Sequence, residues 1–428
     1  MMNYSINWKI IPLGDIAEFH NGINFDKSSF GSGIKIIGVS DFQDFLYPDY
    51  SSLDEVNPKG IVHKEHLLEE NDILFVRSNG NRQLIGRSLF LKNLREPLTH
   101  SAFTIRARFT SKATSPKFYF YLFRSSLIRD VLSNQGSGTN ISNLNQDILS
   151  KLPVPLPTLV TQQKIAAILS AYDDLIENNT RRIKILEEMA QAMYREWFVN
   201  FRFPGHEGVR MVKSELGPVP EGWEVKKLGE VCLLIMGQSP NSEFYNETGE
   251  GLPFHQGVTN FGSRFPMDSV FCMIANRTAE EGDILFSVRA PVGRINLANK
   301  KIVIGRGLSA IRNKKGNQLF TYYQLLEHFK EEDSIGGGTI FKSVTKEDMS
   351  NIRLLIPDVN LIGFFEECIK PISAHIDNLI YQESNLRRTR DLLLPKLISG
   401  EIDVSDLNIE IPVARINEKL AARSTFFC

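Results

Sequence analysis

Two stretches of this 428-residue chain concentrate side chains that could act on a charged partner. Between Ile73 and Arg129 eleven Lys or Arg stand against one acid, Glu96; between Ile284 and Lys315 eight stand against none. The chain as a whole carries a net charge of −1, so these basic runs are offset by acids elsewhere. Cationic side chains interleaved with Phe, Tyr, Asn and Gln suit contacts to a phosphate backbone and to base edges, whereas a single such run is usually only a solvated face. Two runs at equivalent places favour nucleic-acid binding.

Other chemistry finds little support. Neither HExxH nor GxxxxGK[ST] occurs, so no zinc-protease or P-loop site is expected. Phe30-Gly31-Ser32-Gly33 lacks the GxGxxG spacing of a dinucleotide loop and reads as a turn. His63 and His66 lack a third ligand nearby and read as a surface pair. The glycine-rich runs 136–139 and 336–339 suit either a backbone cradle for phosphate or simply a tight turn. Cys232, Cys272, Cys368 and Cys428 are far apart, which argues against a disulfide framework and for a reducing cytoplasm. The N-terminal residues have no signal-peptide pattern, and no apolar run is long enough to span a membrane.

The elements that must position the basic runs are written twice. Trp8-x4-Leu13-Gly14 returns as Trp223-x4-Leu228-Gly229, Gly22 as Gly237, and Gly38-Val39-Ser40-Asp41-Phe42 as Gly257-Val258-Thr259-Asn260-Phe261. Asp72-Ile73-Leu74-Phe75-Val76-Arg77 returns as Asp283-Ile284-Leu285-Phe286-Ser287-Val288-Arg289 with one residue added, and Ile85-Gly86-Arg87 as Val292-Gly293-Arg294. Gly136-Ser137-Gly138-Thr139 matches Gly336-Gly337-Gly338-Thr339. Within each repeat, short β-branched and aromatic runs bounded by Gly, Pro and Asn predict strands, with shorter helices over 116–132 and 318–330.

Each repeat ends in a helical stripe. Ile165, Ile168, Tyr172, Ile176, Ile183, Leu186, Ala190, Met193 and Trp197 lie at steps of three, four and seven, and Ile369, Ile372, Ile376, Leu379, Leu386, Leu393 and Leu397 repeat the spacing. A helix of about 38 residues would run about 57 Å. The stripes are expected to bury each other as an antiparallel coiled coil, with polar seams at Asn178-Asn179 and Gln382-Glu383. Pro371 and Pro395 are expected to bend the second helix or mark its edges. The expected organisation is α+β: recognition domain 1–157, spacer helix 158–203, linker 204–222, recognition domain 223–357, spacer helix 358–400 and tail 401–428.

This pattern resembles the specificity subunit of type I restriction-modification systems. The likeness runs from Trp8 to about Asp403 and rests most on Leu152-Pro153-Val154-Pro155-Leu156-Pro157 with Gln162-Gln163-Lys164-Ile165. Trp197-Phe198-Val199-Asn200-Phe201, Pro220-Glu221-Gly222-Trp223 and Leu397-Ile398-Ser399-Gly400-Glu401-Ile402 add to it. In the second repeat Phe364-Phe365-Glu366-Glu367 stands in place of the Gln pair. The resemblance implies two target-recognition domains related by a pseudo-two-fold axis, each reading half of a split, asymmetric sequence in double-stranded DNA. It implies two methyltransferase subunits as partners, restriction subunits in some systems, and no membrane. S-adenosylmethionine, ATP and Mg would belong to those partners, with no cofactor, metal or catalytic residue in this chain. The competing reading is a coiled-coil adaptor without a DNA role.

Features common to both halves cannot explain why two halves read different bases. Arg77 with Arg289, and Arg87 with Arg294, are therefore expected to contact scaffold or phosphate. Asn79, Asn81, Arg82 and Gln83 in the first half, and His255, Gln256 and Arg264 in the second, are the base-reading candidates, since Arg suits guanine and Asn or Gln suits adenine.

Overall fold

Each repeat is closed by its own ends. In the computed structural model, which describes residues 8–42, 46–79, 81, 84–134, 143–334 and 343–411, strand β1 (Lys9–Pro12) pairs antiparallel with β9 (Pro153–Leu156). In the second repeat β12 (Glu224–Lys227) pairs in the same way with β22 (Arg353–Ile356). The prolines of the first pair are tolerated because a two-stranded clasp consists only of edges.

The first repeat holds β2 (Ala17–Asn21), β3 (Phe30–Ile37), β4 (Glu55–Val56), β5 (Ile73–Val76), β6 (Ser88–Phe90), β7 (Leu98–His100) and β8 (Thr104–Phe109). They form an antiparallel sheet of order β2-β8-β5-β6 and a second sheet of order β4-β3-β7, in which β3 and β7 run parallel. Helices α1 (Pro116–Arg124), α2 (Ser126–Asn134) and α3 (Gln146–Ser150) follow. The helix expected over 116–132 breaks at Ser125, which is extended and whose hydroxyl donates to Leu122 O at 2.6 Å. Phe30 to Gly33 open strand β3 rather than forming a turn.

The chain then enters α4 (Leu159–Tyr194), continued by a wider turn over Arg195–Val199. A hairpin, β10 (Met211–Ser214) with β11 (Gly217–Pro220), occupies the segment read as a linker. The second repeat comprises α5 (Leu228–Val231), β13 (Cys232–Met236), β14 (Tyr245–Asn246), β15 (Leu252–His255), β16 (Phe271–Cys272), β17 (Thr278–Ala279), β18 (Ile284–Ser287), β19 (Ile295–Leu297), β20 (Ile302–Ile304) and β21 (Leu308–Asn313). Its sheets have orders β13-β21-β18-β19 and β14-β16-β15-β20-β17, with β15 and β20 parallel. The four-stranded sheet has the same order and pairing as its counterpart. Helices α6 (Gln318–Ser334), α7 (Lys346–Ser350) and α8 (Val359–Ser399) complete the described chain.

Helix α8 runs through Pro371 and Pro395 without ending at either. A proline removes one N–H and frees the carbonyl four residues earlier. Those carbonyls belong to Glu367 and Asp391, both exposed, so water can take the orphaned acceptor.

The chain divides into two compact units, residues 1–178 with 382–428, and residues 179–381. The divisions fall at the two polar seams. In the first unit Ile165 and Leu169 of α4 share a core with Leu397 and Ile398 of α8 and with Phe118 to Phe123 of α1. Asp173 lies farther along α4 and meets Arg390, which lies earlier on α8, at 2.7 Å, so the helix segments run antiparallel. In the second unit Ala190 and Tyr194 of α4 share a core with Ile362, Phe365 and Ile369 of α8 and with Phe320 and Tyr323 of α6. Arg182 meets His375 at 2.9 Å there, again antiparallel. Each repeat thus buries its helical layer against the start of the helix that follows it and the end of the other.

The glycines repeated in the sequence mark close approaches. A Cβ on Gly22 would lie 2.1 Å from His100 O, and one on Gly237 would lie 2.2 Å from Gly305 O. Both neighbours are backbone and cannot rotate away. Gly22→Ala and Gly237→Ala should each cost about 2 kcal/mol by overpacking, measured by chemical denaturation; a loss below about 0.5 kcal/mol, the usual scatter of neutral substitutions, would contradict the assignment.

Candidate nucleic-acid interface

Much of each basic run is consumed by the fold. Arg108 clamps buried Asp72 through Nε at 2.8 Å and through a second nitrogen at 2.7 Å, and Arg312 grips buried Asp283 with both contacts at 2.7 Å. This pair ties the start of β5 to the end of β8, and the start of β18 to the end of β21. Arg106 is buried and donates to Glu65 O and Leu67 O at 2.8 and 3.1 Å. Beside it His100 is buried and donates or accepts at Thr104 Oγ1, 2.9 Å away; burial, with the Arg106 charge, pushes its pKa down to about 3 and keeps it neutral. Lys92 meets Glu177 and Asp174 of α4 at 3.2 and 3.6 Å. Lys300 pairs with Asp268, Lys301 meets Glu280 at 2.9 Å, and Lys314 donates to Gly229 O at 2.8 Å.

Arg289 and Arg294 stay exposed near the end of β18, and Arg77 and Arg87 are half-buried near the end of β5. Backbone hydrogen bonds set the register there. Arg77 N–H donates to Phe103 O and Leu144 N–H to Arg77 O, both at 2.8 Å; in the second repeat Val288 N–H donates to Gly307 O and Val344 N–H to Val288 O, both at 2.9 Å. Ser78 bridges Asn143, and Arg289 bridges Ser343. Arg77 therefore corresponds to Val288, and Arg289 to Ser78, which corrects the expected Arg77–Arg289 equivalence. No residue is added along this strand: Asp72 to Ser78 match Asp283 to Arg289 one for one. Arg87 and Arg294 do correspond, since their carbonyls accept from Val76 and Ser287 N–H, each at 2.9 Å.

The remaining candidates separate. Asn79 is half-buried with its side-chain oxygen accepting from Asn81 N–H at 2.8 Å, and Asn81 is exposed. Arg82 and Gln83 lie outside the described residues, as do both glycine-rich runs. Arg77 donates to Ala102 O at 3.3 Å. Gln256, Arg289 and Arg294 are exposed.

Two candidates are interior residues. Arg264 is 1% exposed and donates to Glu187 at 2.5 Å and Ser373 at 2.6 Å; its Nε also stands 2.9 Å from Asp377. It ties its domain to both long helices of its unit and is placed for anchoring rather than base reading. His255 is also 1% exposed and sits 3.0 Å from Asp268. Desolvation works against the Asp268 charge, but hydrogen bonds from His255 and Lys300 hold its pKa below the usual carboxylate value. Such burial withdraws His255 from direct base contact in this conformation.

Sequence reasoning missed the Asp72–Arg108 and Asp283–Arg312 pairs. Their signal was present, because an Asp opens both Ile-Leu-Phe strands and an Arg lies near the end of both final strands. It also missed how each domain helix is held by the long helix after it. Gln162 accepts from Ser115 N–H at 2.8 Å, whereas Glu366, one helical turn farther on, accepts from Phe320 N–H at 2.8 Å. Among the described residues no group of His, Cys, Asp and Glu could hold a metal, and no helix is long and apolar enough to cross a membrane.

Two copies of one sheet scaffold, each seated on a pair of antiparallel helix segments and each presenting its own loops where the same strand ends, define a tandem recognition protein. A family model described as the type I restriction modification DNA specificity domain matches residues 5–188 and again residues 220–361. The chain belongs to this family, and its fold is the family's two-domain, long-helix architecture. It is 30% identical over 407 residues to the putative type I restriction enzyme MjaX specificity subunit of Methanocaldococcus jannaschii, covering 93% of this chain and 94% of that one. It is 24% identical over 471 residues to the HindI specificity subunit of Haemophilus influenzae, covering 92% and 100%. The crystal structure of the type I restriction-modification S subunit from M. genitalium has the same fold, with a TM-score of 0.59 at 17% identity over 93% of this chain and 97% of that one.

Proposed function

We propose that this chain is the non-catalytic address of a type I restriction-modification complex. Each domain reads one half of a bipartite, asymmetric sequence in double-stranded DNA, and partner subunits perform the chemistry. The observation that carries this reading is the doubling itself: one four-stranded sheet, built twice, is followed in its two copies by different residues after β5 and β18. Equivalent four-stranded frames with different loops suit two different half-sites.

Two methyltransferase subunits would bring S-adenosylmethionine and transfer its methyl group to adenine N6. Restriction subunits, where present, would add cleavage that requires ATP and Mg. The chain's own residues bind and orient DNA and supply no group to the methyl transfer. Such a complex works in the cytoplasm, consistent with Cys232, Cys272 and Cys368 being free thiols.

The test is to purify the full chain with its methyltransferase partners and map adenine methylation on genomic DNA. One bipartite sequence should be modified, and binding should fall by roughly 10³-fold or more between 50 and 200 mM salt if six or more phosphates are contacted. Equal binding to all sequences at every salt concentration would favour the adaptor reading.

A further inference from the structure

The loops joined at the ends of β15, β18 and β20 differ from their counterparts in a way that identifies a reading edge. Gly305 N–H donates to His255 O at 2.9 Å, as Ser101 N–H donates to Ile37 O at 3.0 Å, so His255 corresponds to Ile37. The short helical turns that follow begin after Gly257 and Gly38 respectively. Gln256 is therefore an inserted residue, present in the second repeat alone. Its carbonyl accepts from Gly307 N–H at 3.0 Å.

The insertion is built in. A Cβ on Gly305 would lie 2.8 Å from Gln256 Cα, and one on Gly307 would lie 2.3 Å from Gln256 O. The first repeat has Ser101 and Phe103 at these positions, where no inserted residue needs the space. Arg306 stands where the first repeat has Ala102, its N–H donating to Ser239 Oγ at 3.2 Å, and Arg289 stands where it has Ser78. Gln256, Arg289 and Arg306 are all exposed. Among the described residues no ion pair or hydrogen bond engages their side chains. Val288 N–H, bonded to Gly307 O, ties the Arg289 loop to the same junction.

We propose that Gln256, Arg289 and Arg306 form the base-reading edge of the second domain, in the major groove of duplex DNA. The two arginines read guanine through N7 and O6, and Gln256 reads adenine through N6 and N7. Arg294, shared with Arg87 of the first repeat, contacts phosphate instead and carries no sequence information. The backbone of the junction is held by these hydrogen bonds, so it is the three side chains that remain to be ordered on binding. This inference rests on the DNA-reading function proposed above.

The experiment presents the full chain, purified with its methyltransferase partners, with a duplex library randomised over the target. Retained DNA is then sequenced. Gln256→Ala, Arg289→Ala and Arg306→Ala should each relax one position, all within the same half-site, with discrimination falling roughly tenfold to hundredfold. Arg294→Ala should lower binding across all sequences and leave the recovered sequence unchanged. Thermal unfolding of each variant checks that these exposed substitutions leave the fold intact. If the wild-type complex enriches one bipartite sequence and the three variants enrich the same one unaltered, the edge is assigned wrongly while the DNA-reading function stands. If the wild-type complex enriches no sequence, both fall.

Discussion

Replacing residues 8–156 with the equivalent stretch of a second family member is expected to change one half of the recognised sequence and leave the other untouched. The boundaries follow the clasp of β1 with β9, so the exchanged piece carries its own closure. The loops after β5 and β7 travel with the strands that position them, while Ile165, Leu169, Leu397 and Ile398 of the long helices stay in place. Each mismatched base pair costs about 1–3 kcal/mol. A half-site altered at three positions should therefore lose roughly 10²- to 10⁶-fold in preference for the old sequence. Methylation mapping in cells carrying the chimera reads both halves at once. Simultaneous change of both would show that the domains do not read independently.

The second large effect concerns stability. Arg264→Ala should destabilise the second unit by about 3 kcal/mol. Removing one member of a buried ion-pair network costs about 3–5 kcal/mol, and the lower end applies because Glu187 and Asp377 keep 20% and 44% of their side chains exposed and are partly screened by water. Arg264→Lys should restore only part of the loss, since one ammonium cannot engage Glu187, Ser373 and Asp377 together. Hydrogen exchange distinguishes the units: amides of β18, β19 and β21 should lose protection while those of β5, β6 and β8 keep theirs. A loss below about 1 kcal/mol, or equal deprotection of both units, would show that Arg264 does not carry this anchor.

Much of this architecture was legible before any coordinates. The doubling shows in Gly22 and Gly237, which recur because each lies against a backbone carbonyl where any side chain would collide. The helices show in the three-four-seven spacing of Ile165 to Trp197 and of Ile369 to Leu397, and the thinning at Asn178 and Gln382 coincides with the division into units. The second proline-bearing helix was harder to read, because a proline's cost depends on whether water reaches the carbonyl it frees. At Glu367 and Asp391 solvent does.

The site was less legible, for the same reason in each case. Arg77 and Arg289 match as letters, but the backbone bonds to Phe103 and Gly307 make Val288 the equivalent of Arg77. Letters record type, while register is a relation between strands far apart in sequence. Arg264 and His255 looked like free polar residues because their partners, Glu187, Ser373, Asp377 and Asp268, lie on other elements. The sequence by itself determined what local periodicity and repetition encode: two equivalent domains, two long helices and an excess of positive charge in each copy. Only the tertiary structure decided which of those charges are left for a partner, because burial and ion pairing are settled by contacts that chain order does not contain.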